Sequence, residues 1–469
     1  MSRRTAIDRA TAYYDSGAFL EDLRRRVAHR TESQEAGRGP ELRAYLDEEI
    51  AAALRPLGFS IRVLANPLPA FGPFLLAERI ERADLPTVLI YGHGDVIRGY
   101  DARWREGLSP WRVIVEGDRV YGRGTADNKG QHSVNIGALA EVLAARAGRL
   151  GFNAKIIIET GEEAGSPGLR EICAAERGAL KADLLVASDG PRLSSERPTI
   201  FLGSRGAFNF DLSLHSRDGA HHSGNWGGLL RNPGTVLANA IAGMVDARGR
   251  ILVEGLRPPP IPASVKAALA DIAVGGGPGD PDIDVGWGEP DLSPAERVFG
   301  WNSLEVLAFK TGEPDAPANA IPAHAMAHCQ LRFVVGCDPA TFVPVIRAHL
   351  DAAGLSMVEV RPARMTLMNA TRLDPEDPWV GWALRSLART TGKTPALLPN
   401  LGGSLPNDIF ADLLGLPTIW VPHSYPGCSQ HAPDEHLLGS IAREGLQIMA
   451  GLFWDLGEEG AAIAEARRP

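Results

Sequence analysis

Val88-Leu89-Ile90-Tyr91-Gly92-His93-Gly94-Asp95 is the stretch whose reading decides the fold. An apolar run of this length, stopped by glycine, has the pattern of a strand buried on both faces. The pattern recurs along the chain. Lys155-Ile156-Ile157-Ile158 runs on to Gly161, Leu184-Leu185-Val186 runs into Ser188-Asp189-Gly190, and Thr418-Ile419-Trp420-Val421 is a late copy. Between the first two, Ser133 to Ala147 has the small and apolar composition of a helix. Strands alternating with helices predict an α/β fold built on a mixed, partly parallel sheet covered on both faces.

Outward from this core, residues 5 to 57 carry apolar residues at helical spacing and are closed by Gly58, which predicts helix. The middle of the chain reads differently. Ala207 to Leu214 and Ala325 to Val335 alternate apolar and polar residues, as half-exposed strands do, and Thr235 to Val245 between them reads as a helix. Residues 256 to 296 are rich in proline and glycine, including Pro258-Pro259-Pro260 and Gly275-Gly276-Gly277, and predict a functional loop or surface insertion. Helical pattern resumes near Trp379. The expected division is one domain from residues 1–199 plus 373–469, with a smaller α+β domain, 200–372, inserted into it.

The 469 residues suffice for two domains with real cores, and 44% hydrophobic and 22% charged residues are ordinary globular values. A net charge of -9 without a concentrated basic face argues against nucleic acid as a partner. The best basic run, Arg24-Arg25-Arg26, stands beside Glu21 and Asp22 and reads as a solvated helix face. Cys173, Cys329, Cys337 and Cys428 form no CxxC pair, which argues against a disulfide framework or a cysteine zinc site and fits a reducing compartment. Thr5 to Arg9 lacks the apolar run of a signal peptide, and no stretch of about 18 apolar residues predicts a membrane helix. A soluble, cytoplasmic protein is expected.

The chemistry-bearing residues follow the strand-like runs. His93 and Asp95 lie two apart on an extended segment, so both side chains can point to one ion. In Gly122-Arg123-Gly124-Thr125-Ala126-Asp127-Asn128-Lys129-Gly130 the glycines indicate an unusual backbone, and Asp127 is either a helix cap or a ligand. Glu162 and Glu163 are adjacent acids that repel unless a cation or proton intervenes. Asp189 ends another run, and His431 stands in Gln430-His431-Ala432-Pro433-Asp434-Glu435, where a lone histidine can equally be structural. Open α/β sheets gather ligands at the carboxyl ends of their strands. Mixed imidazole and carboxylate donors there suit Zn²⁺, and also Mn²⁺ or Co²⁺, which would polarise a carbonyl and acidify a water.

In this order, Gly92-His93-Gly94-Asp95-Val96, Gly122 to Gly130, Gly161-Glu162-Glu163 and Ser188-Asp189 resemble the M20 family of metallopeptidases over nearly the whole chain. That family includes carnosinase-like dipeptidases, aminoacylases, carboxypeptidases and succinyl-diaminopimelate desuccinylases. The resemblance implies two divalent ions, zinc foremost, with His93 and Asp189 on one, Glu163 and His431 on the other, and Asp127 bridging them. It implies a cis peptide bond at Asp127-Asn128. It makes Glu162 the general base toward a bridging water, and moves Asp95 from ligand to the acid that orients His93.

The middle domain becomes by resemblance a lid and dimerisation domain. In His221-His222-Ser223-Gly224, His222 rather than His221 would enter the active site of a second subunit and stabilise the oxyanion, which implies a homodimer. Asn319 and Arg332 match substrate-binding segments, with Arg332 a candidate clamp for a terminal carboxylate. Gly403 and Ser404 belong to a substrate-contacting loop, Gly402-Gly403-Ser404-Leu405-Pro406, which is no nucleophile elbow because Pro406 replaces the second glycine of GxSxG. Residues 256 to 300 exceed compact relatives, and Trp287 and Trp301 are expected to pack this insertion. The implied activity is hydrolysis of dipeptides or similar small peptides. The alternatives are an N-acyl-amino-acid deacylase on the same metal site and a non-catalytic binding protein on the same fold.

Overall fold

Alternate side chains of the central strands go to opposite faces of one sheet, and this is what makes it a two-sided core. In the computed structural model, which describes residues 2–276, 281–363 and 367–467, Val88 and Ile90 pack into one buried cluster while Leu89 and Tyr91 pack into another. Leu184 and Val186 divide from Leu185 and Ala187 in the same way.

The sheet has eight strands, in the spatial order Ser60–Leu64, Phe74–Arg79, Asn153–Glu159, Thr87–His93, Leu184–Ala187, Thr418–Trp420, Thr199–Phe201, Ala396–Leu398. Its centre is parallel: Thr87–His93 runs parallel to both Asn153–Glu159 and Leu184–Ala187, and Thr418–Trp420 runs parallel to Leu184–Ala187. Antiparallel pairs flank that centre. The helices Arg3–Asp15, Lys129–Ala145, Pro378–Thr391 and Gly439–Ala466 contribute to the cluster on one face. Among the described residues, no helix is long and apolar enough to cross a membrane.

A second, four-stranded sheet is antiparallel throughout, in the order Ser303–Thr311, His324–Phe333, Gly206–His215, Glu359–Pro362. Its two central strands alternate buried and part-exposed residues along their length, as their sequence pattern predicts. The helices Pro233–Met244 and Phe342–Ala352 cover its buried face and complete a separate core.

Three expectations need correction. The helical stretch from 5 to 57 is broken between Ala28 and Gly39, where Thr31 leaves helix to bind the loop after His93. Its carbonyl accepts the Val96 N–H at 2.9 Å and its hydroxyl donates to the Gly94 carbonyl at 2.7 Å. Arg26 is not on a solvated face; it is buried and donates to Ser133 Oγ at 2.5 Å. The insertion is more than surface loop: Ala263–Leu269 and Pro294–Phe299 are helices whose Val265, Leu269, Ala295 and Phe299 join the second core of the large sheet. Trp301 packs against that core, whereas Trp287 is half-exposed and covers Gly249. Gly277 lies outside the described residues.

Candidate metal centre

Neighbouring parallel strands deliver their carboxyl ends to one sheet edge. His93 stands opposite Glu159 and Tyr91 opposite Ala187, so three chains leave the sheet side by side. His93 ends the middle strand, Glu162 and Glu163 open a short turn after the second, and Asp189 follows the third by two residues. Asp127 lies just before the helix Lys129–Ala145, beyond a cis peptide bond to Asn128. His431 comes from the loop after Thr418–Trp420 and has a positive φ of 60°, a backbone conformation unusual for a residue other than glycine.

The donor atoms of His93, Asp127 and Asp189 all lie within 4.8 Å of one another, and so do those of Asp127, Glu163 and His431. Asp127 belongs to both groups, with one oxygen turned to each. Its Oδ1 is 3.0 Å from His93 Nε2, and its Oδ2 is 3.0 Å from His431 Nε2. His93 Nε2 also lies 3.5 Å from Asp189 Oδ2, and His431 Nε2 lies 3.0 Å from Glu163 Oε2. Asp127 is therefore not the cap of its helix by side chain: the cap position is Asn128, and no side-chain cap bond forms there.

The electrostatics fit a cation. Burial pushes the Glu163 carboxyl up to about 7, with the Asp127 charge adding to it. Burial likewise holds Glu162 well above the usual carboxylate range, opposed by His93 and reinforced by Asp189, Glu163 and Asp127. His431 is pushed up to about 11 by its contacts with Asp127 and Glu163. Burial opposes a charge on His93, but Asp127, Asp189 and Asp95 outweigh it and raise its pKa. Without a metal, protons must do what the acids' crowding demands; a divalent ion supplies the same compensation through ligands of the right type. These clusters are suited to divalent metal binding.

Asp95 is not in either donor group. Its carboxylate accepts the N–H of Glu162 and of Glu163, each at 3.1 Å, while its Oδ1 lies 3.4 Å from His93 Nδ1. One acid thus orients the imidazole and both glutamates. Two residues to which the sequence assigns no role, Glu435 and Gln430, support Asp127. Glu435 Oε1 accepts the N–H groups of Gly124, Ala126 and Asp127 at 3.0, 3.0 and 3.1 Å, and its Oε2 accepts from Arg123 Nη1 at 2.7 Å. Gln430 Nε2 donates to Asp127 Oδ2 at 2.6 Å. A polar residue four positions from His431 was the only available signal for Glu435.

The centre opens into a cavity of about 690 Å³ lined by Asp127, Glu162, Asp189, His431, Arg332, Gly403 and Ser404, among others. Arg332 comes from the smaller sheet and donates to Ser404 Oγ at 2.7 Å. His222 and Asn319 are not on this wall. Both are exposed on the smaller unit, where the Asn319 carbonyl accepts the Ser223 N–H at 2.9 Å and His222 Nδ1 accepts the Gly224 N–H at 3.1 Å.

Imidazoles and carboxylates gathered at a sheet edge, with the part-buried acid Glu162 beside them and a substrate-sized cavity, define a metal-dependent hydrolase. Residues 89–455 match the family described as Peptidase family M20/M25/M40. The chain belongs to this family and is a metallopeptidase that hydrolyses peptides. It is 26% identical to the Beta-Ala-His dipeptidase of Mus musculus, over 94% of this chain and 93% of that one. It is 25% identical to the Cysteinylglycine-S-conjugate dipeptidase of Corynebacterium striatum, over 76% and 77%. Its fold is similar to that of the M20 family metallo-carboxypeptidase Sso-CP2 from Sulfolobus solfataricus, with a TM-score of 0.77 at 24% identity, covering 93% and 98% of the two chains.

Proposed function

We propose that the protein is a dipeptidase with two divalent ions, zinc foremost. His93 and Asp189 would hold one, Glu163 and His431 the other, and Asp127 would join both. The observation that carries this reading is the split of the Asp127 carboxylate, with one oxygen 3.0 Å from each imidazole. The names of the two relatives described above, both dipeptidases, support the substrate class. When bound, the ions would supply Lewis acidity toward the scissile carbonyl and the attacking water.

The chain's own residues do the rest. Glu162 lines the cavity and belongs to neither donor group, so its carboxylate is free to take the proton of the attacking water and return it to the departing amine. Asp95 fixes Glu162 through its backbone N–H. Arg332, held beside Ser404, would receive the substrate's terminal carboxylate, with Gly403 and Ser404 lining the same end. His222 would stabilise the oxyanion from a second subunit, with Asn319 fixing the turn that follows it. The dimer reading is supported by the edge strand Ser303–Thr311, which exposes Val306, Leu307 and Phe309.

The test is turnover by metal-reconstituted protein of a dipeptide panel set beside acetyl-, succinyl- and carbamoyl-amino acids. Cleavage of free dipeptides is expected. Cleavage confined to the acylated set would replace this reading with a deacylase.

A further inference from the structure

The segment from Ile261 to Phe299 lies, in sequence, between two strands of the smaller sheet, yet Ile261, Val265, Leu269, Ile272, Ala295 and Phe299 seat on the larger one. Val265, Leu269, Ala295 and Phe299 share a core with Ala396 and Leu398 of the last strand of that sheet. The excursion puts Val274, Ile283 and Phe299 on the wall of the metal-centre cavity, with Leu193, Leu401 and Leu405 also on that wall. Of the two arginines lining the cavity, Arg332 bonds Ser404, and Arg192 is paired with Glu444 at 2.5 Å. Phe299 is buried in that core and Val274 packs against it part-exposed, whereas Ile283 is half-exposed, so the core carries an apolar wall out to the opening.

We propose that Val274, Ile283 and Phe299 form a subsite for a branched aliphatic or aromatic side chain of the substrate, making the enzyme selective for dipeptides that carry one. The inference rests on the dipeptidase reading of the cavity. A neutral apolar group displaces water from this wall and gains contact, whereas a polar side chain would lose hydrogen bonds that the wall does not return.

The experiment measures kcat/KM of metal-reconstituted protein on Leu-Gly, Phe-Gly, Gly-Leu and Gly-Phe beside Ser-Gly, Asn-Gly, Gly-Ser and Gly-Asn. Calorimetric binding of free leucine, phenylalanine, serine and asparagine runs in parallel. Apolar members of at least one series should exceed polar ones by about tenfold or more. Val274→Asp should lower that ratio by about tenfold. Val285→Asp, at a fully exposed position of the same segment and off the cavity wall, should leave it unchanged. Turnover without apolar preference overturns the subsite and leaves the dipeptidase reading standing. No dipeptide turnover, with leucine bound more tightly than serine, keeps the subsite and overturns the dipeptidase reading. Neither turnover nor binding preference overturns both.

Discussion

The Glu435 carboxylate accepts the backbone N–H of Asp127 at 3.1 Å, so the residue shared by both donor groups is held by an acid that joins neither. The same carboxylate faces Arg123, with both side chains only 1% exposed. Glu435→Gln keeps an acceptor for the loop but leaves the Arg123 charge buried without its counter-ion. Metal affinity, measured by chelator competition, should fall by about 10- to 100-fold, the usual loss when a group supporting a ligand is changed. Unchanged affinity would reduce the contact to a fold-stabilising one.

Glu162→Gln removes the proposed proton carrier and leaves all five donor residues in place. Turnover should drop by about 10²- to 10⁴-fold. Bound metal, read by elemental analysis, should stay at the wild-type level. Turnover at the wild-type rate would rule out Glu162 as the base.

Metal removal should abolish turnover, and re-addition of zinc or manganese should restore it. Binding to the folded state alone also raises stability, by about 2.7 kcal/mol at a free ion concentration a hundredfold above Kd. Thermal unfolding with and without metal reads this directly. No shift in the midpoint would mean that the clusters do not hold an ion.

Glu159 gives a pH dependence that can be read on the metal-free protein. Its Oε1 accepts from Tyr91 at 2.8 Å and from Ser166 at 2.9 Å, while its buried Oε2 has no hydrogen-bond partner among the described residues. Burial, reinforced by the Asp95 charge, pushes the carboxyl from 4.5 up to about 8. A raised folded-state pKa means that the fold binds the extra proton. This contribution to stability is complete below 4.5 and is lost as pH rises through about 8. Denaturation midpoints should therefore show Glu159→Gln gaining on the wild type across that window. A constant difference between the two proteins would contradict the assignment.

His222 offers a complementation test. Glu162→Gln and His222→Ala should each be nearly inactive alone. Mixed and allowed to exchange subunits in equal amounts, they should recover about a quarter of wild-type activity, because half the dimers are mixed and each mixed dimer has one intact site. No recovery, despite exchange shown by labelling, would exclude donation across subunits.

The chemistry of the centre was legible because local pattern carries it. Buried strands are apolar runs, and where such a run stops at His93, before Glu162 or before Asp189, the polar residue has no place in the sheet and marks its edge. Asp127 was half-legible: its glycine-rich surroundings announced an unusual backbone, but cap and ligand look alike until His93 and His431 stand on either side of it. Thr31 was misread because the helical spacing around it is real, and only its bonds to Gly94 and Val96 outweigh that preference. Arg26 was misread because a charged residue in a basic run gives no sign of the Ser133 hydroxyl that receives it, 107 positions away.

The sequence by itself determined the α/β alternation, the half-exposed strands of the middle region and the kinds of donor available to a metal. These depend on periodicity and residue chemistry, which act over a few positions. Tertiary structure alone decided which strands are neighbours, and so which ends share an edge. It also decided that Glu435 supports Asp127, and that the segment after Ile261 leaves the smaller sheet to wall the cavity. Those outcomes arise from burial and pairing between residues far apart in the chain, whose free energy exists only once the two surfaces meet.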